Sequence, residues 1–192
     1  MILTRLIALF FLLFATNATY VFGDNLNKPI WVDYVYRWSL NDNLRPDWMS
    51  EEDSEKLFVT AAKKWEVCGV RMEYLGKKDH PVLTMDNHNT VGWGLIQGKL
   101  RGITIGKAKN NKLIEKDIAI NPFRQEFLKH PQLLEKVVVH EFGHAIGMIH
   151  SSRCDDVMTL ASDCPSLDPD LVPNFLTERD LQSCMSLYNQ FL

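Results

Sequence analysis

What the sequence lacks narrows its function before any motif is found. There is no basic excess: 21 Lys and Arg stand against 24 Asp and Glu, for a net charge of -3. Such a chain has nothing with which to neutralise a run of phosphates, so nucleic acid is not expected as a partner. No internal repeat and no Pro/Gly/Ser-rich linker divides it, which leaves one domain as the expectation. Cysteine is scarce, with four residues: too few for a disulfide scaffold, but suited to two bridges in an oxidising compartment. What is present is ordinary for a globular protein, 46% apolar and 23% charged residues in a chain of 192. That excludes disordered and collagen-like chains, and it is long enough to bury a core without staples.

Only one segment has a long apolar run, Leu6 to Ala15 behind Arg5. It is about half the roughly twenty residues that span a bilayer, so residues 1–23 read as an export signal, cleaved after Ala18 or Gly23. The competing reading is an uncleaved anchor. Cleavage would leave 24–192 as a single domain, secreted (or periplasmic in a bacterium), monomeric and with no stable membrane insertion.

Along that domain, Trp31–Trp38 is aromatic and β-branched, as in a strand. Ser50 followed by three acids caps a helix whose core face is Leu57, Phe58, Ala61, Ala62 and Trp65, ended by Gly69. Further strands are expected at Val70–Leu75, Val82–Met85, Leu100–Ile105 and Asp117–Ile120. A second helix runs from Pro131 to near Gly147, and a third starts at Thr177, whose Asp180 completes a capping box. This order indicates an α+β fold.

The chemistry concentrates in His140-Glu141-Phe142-Gly143-His144-Ala145-Ile146-Gly147-Met148-Ile149-His150. On a helix His140 and His144 are one turn apart, about 40° in angle and about 6 Å in rise, so both imidazoles can reach one zinc with Glu141 on the flank. Gly147 accepts the positive φ that turns the chain out of the helix, and His150 can return as a third ligand. Three nitrogen ligands leave a fourth position for water, the arrangement of a catalytic zinc. Surface histidines, or a structural zinc closed by a fourth side chain, are the weaker alternatives.

This segment resembles the long HExxHxxGxxH motif of the metzincin zinc endopeptidases, with Met158 at the spacing of their methionine turn. Ser151 after the third histidine is like that of the matrixins, the matrix metalloproteinase family. Tyr36-Arg37-Trp38, Ala61–Trp65 and Leu176–Tyr188 resemble the first strand, first helix and last helix of that domain. The resemblance implies a twisted, mostly parallel five-stranded sheet with three helices and a zinc cleft. It implies a protein or peptide substrate, with His140, His144 and His150 holding one zinc and Glu141 as general base. Met158 would floor the imidazoles, Leu100–Gly106 would edge the cleft, and Val139, His140 and residues 160–165 would wall the main pocket. Calcium is also implied as possible, near Asp117.

The sequence departs from the vertebrate matrixin pattern. No cysteine lies between the signal and Trp31, so a cysteine-switch propeptide is not expected, and Asp24 is one candidate to cover the zinc instead. Gly102 and Ala119 stand where a second zinc would want histidines; His80 and His88 remain nearby with Asp79 and Asp86, and read as solvated loop residues in preference to a second zinc site. Gly92 and Gly94 around Trp93 read as a plain turn, with close backbone approach as the alternative. Four cysteines allow three pairings, among which Cys154–Cys164 with Cys68–Cys184 is the one expected. The functional expectation is a secreted zinc endopeptidase, with a catalytically inactive zinc-binding module as the alternative.

Overall fold

Tyr36, Trp38 and Leu40 are fully buried along the first strand, and the sheet is built outward from it. In a computed structural model, described here over residues 28–160, 164 and 175–188, this strand is β1, Val35–Asn41. It begins later than the aromatic run suggests because Val32 and Asp33 lie in a turn and Tyr34 has φ 55°. β1 pairs in parallel with β2 (Arg71–Lys77) on one side and β3 (Thr90–Trp93) on the other. Beyond β3 come β5 (Lys112–Ile120), again parallel, and β4 (Gly102–Lys109), antiparallel to β5. The order β2-β1-β3-β5-β4 leaves β4, among the described residues, at an edge of the sheet.

Two expectations fail here. Val82–Met85 is loop, because Leu83 takes φ 62° and the Thr84 amide donates to the Asp117 carboxylate rather than to a strand. Conversely Gly92 is not in a turn but in buried β3, where a Cβ would strike the Asn41 carbonyl oxygen. The glycine lets β3 lie against β1, and a four-residue strand containing Gly carries almost no period-2 signal.

Helices cover one face of the sheet. Helix α1 (Glu51–Lys63) starts at Ser50, whose Oγ accepts from the Asp53 amide, and tightens into a 3₁₀ segment, Lys64–Cys68, before left-handed Gly69. A one-turn helix, α2 (Glu126–Lys129), precedes α3 (Pro131–Ala145), which has Pro131 in its first turn and buries Leu134, Val138, Val139 and Phe142. The Phe142 ring meets Tyr36 and Trp38 edge-on at 6.4 and 5.2 Å, which fixes α3 over β1. Helix α4 (Glu178–Tyr188) opens with the expected box: the Asp180 amide donates to Thr177 Oγ1, and the Thr177 amide to Asp180 Oδ2. Cys68–Cys184 ties the end of the first helical segment to α4, and Cys154–Cys164 closes a shorter loop, so the expected pairing is the one formed. No helix among the described residues is long and apolar enough to cross a membrane.

Candidate metal centre

Helix α3 carries His140, Glu141 and His144 on its last turns, and its termination decides where the chain goes next. The Gly147 amide donates to the His144 carbonyl oxygen and the Met148 amide to that of Gly143, the paired bonds of a Schellman ending, with Gly147 at φ 99°. The bend returns His150 to the other two rings. His144 Nε2 lies 3.1 Å from His140 Nε2 and 3.0 Å from His150 Nε2. Three ring nitrogens this close, with no carboxylate among them, suit ligation of one cation at about 2.0–2.1 Å each.

The opposite ring nitrogens support the same reading. His140 Nδ1 is 2.8 Å from the Val157 carbonyl oxygen and His144 Nδ1 is 2.9 Å from that of Met148, so each donates Nδ1–H and leaves the Nε2 lone pair facing the centre. Burial lowers the pKa of His140 to about 3 and of His144 to about 4, which keeps both rings neutral. The donor set therefore fits a zinc ion with one position left for water.

Three further residues shape this centre: Met158, expected from the resemblance, and Asp180 and Thr104, whose roles here the sequence did not reveal. Met158 is fully buried, and a Cβ on Gly143 would collide with its sulfur and with the Trp65 ring, so this motif glycine makes room for both. The Val157 and Met158 amides donate to the buried Asp180 carboxylate at 3.0 and 3.4 Å, which holds the turn bearing the Val157 carbonyl under His140. Asp180 was legible only as a helix cap. Third, the Thr104 hydroxyl of β4 lies 2.7 Å from Glu141 Oε2 and 3.0 Å from the Glu141 carbonyl oxygen. Burial raises the Glu141 carboxyl to about 7, against the lowering effect of Thr104.

Gly102 gains a reason as well: a Cβ there would come within 2.8 Å of Glu141 Oε1, so a histidine at this position would displace the carboxylate. Ala119 is fully buried in β5, paired with Ile103. The calcium expectation near Asp117 gains no support, since its two oxygens accept from the Thr84 and Thr90 amides and burial raises its pKa to about 6. Val139 is fully buried in α3 beside His140, whereas Asp24 and residues 161–163 and 165 of the expected pocket wall fall outside the described residues.

A mixed five-stranded sheet under a helix that presents two imidazoles, with a third returned past a glycine bend, is the arrangement of the metzincin class. The sequence pattern of the matrixin family matches residues 38–189, and the chain belongs to that family of zinc metalloendopeptidases. No curated protein matches it. Among solved structures, the GM1-bound form of the ECX AB5 holotoxin is similar at 10% sequence identity, with a TM-score of 0.55 and 84% of both chains covered. At that identity the likeness concerns the fold alone.

Proposed function

We propose that this chain is a secreted zinc-dependent endopeptidase that hydrolyses peptide bonds of extracellular proteins. The observation that carries the reading is the convergence of His140, His144 and His150 beside buried Glu141. Zinc bound by the three Nε2 atoms would polarise the scissile carbonyl and acidify the attacking water. Glu141 takes the proton of that water at Oε1, because Thr104 occupies Oε2, and then delivers it to the leaving amine. Burial favours the protonated form of this carboxyl, which helps it hold the proton between the two transfers. Edge strand β4 pairs with an extended substrate through its main chain, leaving side-chain pockets to select sequence.

Residues 1–23 act as the export signal and 24–192 as the working monomer; the two disulfides suit an oxidising destination. A quenched peptide library is the test. The wild type should cleave it, lose cleavage on chelation, and regain it on addition of zinc. Stoichiometric zinc without cleavage would instead identify a binding module that has lost turnover.

A further inference from the structure

A second histidine cluster lies between β2 and β3, over the side of the sheet turned away from α3. Tyr36 and Trp38 face Phe142, so the alternate residues Arg37 and Ser39 point the other way, and with His80 and His88 they line a hollow of about 280 Å³. The rings of His80 and His88 stack at 3.9 Å and 13°. His88 Nδ1 is 3.4 Å from Asp86 Oδ1, and a ligand atom from each of His80, Asp86 and His88 lies within 4.8 Å of the others.

The backbone that presents these side chains is pinned to the sheet. Asn41 Nδ2 donates to the His80 carbonyl oxygen at 2.7 Å, the Thr84 amide to Asp117 Oδ2 at 2.9 Å and the Asn87 amide to Glu115 Oε1 at 2.8 Å. Asn89 donates to the Arg37 carbonyl oxygen at 2.7 Å and accepts from the Lys116 amide at 2.9 Å. Leu83 and Asn87 both take positive φ, at 62° and 69°, a local cost that these anchors sustain. A solvated loop needs no such fixing; a ligand-bearing loop does, because hydrogen bonds behind the donors hold them in orientation.

We propose that His80, Asp86 and His88 form a second metal site for a divalent ion of zinc's class, completed by water and separate from the catalytic centre. Two imidazoles and one carboxylate suit zinc, and the ion would tie the loop across the sheet surface. Sequence alone favours solvated loop over a second zinc here, since nothing in the spacing shows the fold-back. Of the cations lining the hollow, Arg37 is neutralised by Asp33 at 2.5 Å and Glu73 at 3.3 Å, while Lys78 remains close. With exposed ligands beside Lys78, this site is expected to bind more weakly than the triad.

The test counts ions and does not depend on turnover. The full chain, stripped with chelator, is titrated with zinc by calorimetry and its bound metal measured by elemental analysis. The wild type should take up two equivalents in two affinity classes. The paired substitution His80→Ala, His88→Ala should abolish the weaker class, and His140→Ala, His144→Ala the tighter one. One equivalent in the wild type would overturn the proposal, as would two in the His80→Ala, His88→Ala variant. If that variant fails to fold, the triad variant decides: one equivalent supports the loop site, and none overturns it. A wild type that binds two ions yet cleaves nothing would sink the endopeptidase reading and leave this one standing.

Discussion

The two histidine clusters are built by opposite means. His140, His144 and His150 lie within eleven residues, placed by helix geometry and one glycine bend, and they rest on a buried floor. His80, Asp86 and His88 sit on an irregular loop whose shape depends on Asn41, Glu115 and Asp117, residues distant in sequence. A site specified mainly by local geometry leans on few remote groups, here the Asp180-held turn beneath His140. A site specified by remote hydrogen bonds holds it only while each anchor is in place. The triad should therefore be stiff and tight, the loop cluster weaker and easier to loosen.

The largest effect is expected at the triad. Glu141→Gln should lower peptide hydrolysis by roughly 10²–10⁴-fold while zinc content, by elemental analysis, stays at the wild-type level. Loss of zinc in this variant would show that Glu141 serves the metal site and not the proton. Next, Asp180→Ala leaves the amides of Val157 and Met158 without their acceptor. Denaturant unfolding should show a loss of about 3 kcal/mol, and zinc affinity at the triad should fall roughly 10–100-fold with the loop site unchanged. Equal weakening of both sites would break the contrast between them.

A smaller change should follow Thr104→Val, which removes the hydroxyl from Glu141 Oε2: about a tenfold lower kcat with KM nearly constant, restored by Thr104→Ser. An effect confined to KM would place Thr104 in substrate binding instead. The smallest concerns the loop anchor. Burial raises the Asp117 carboxyl to about 6, so the folded chain holds this proton more tightly than the unfolded one, with its ordinary value near 3.8. The stability it contributes is fully present below pH 4 and is lost as pH rises through 6. Denaturation midpoints of the wild type should fall across that window relative to Asp117→Asn; parallel curves would remove Asp117 as the source.

These contrasts also explain what the sequence could disclose. The triad and its bend were legible because both depend on spacing within one short segment, whereas element order indicated only an α+β fold and the mostly parallel sheet followed from the resemblance to the matrixins. Val82–Met85 was misread because its apolar residues belong to a loop held by Asp117, which lies more than thirty residues on. β3 was missed because Gly92 interrupts a strand of four residues, and its meaning appears only with Asn41 beside it. Thr104 and Asp180 escaped for the same reason: their partners, Glu141 and the turn at Met158, are brought to them by packing.

The most direct measurement is a crystal structure of the zinc-loaded chain with anomalous data collected at the zinc edge. The account predicts a strong peak about 2.0–2.1 Å from the Nε2 atoms of His140, His144 and His150, with Glu141 beside it but not ligated. No peak within bonding distance of all three nitrogens would contradict it.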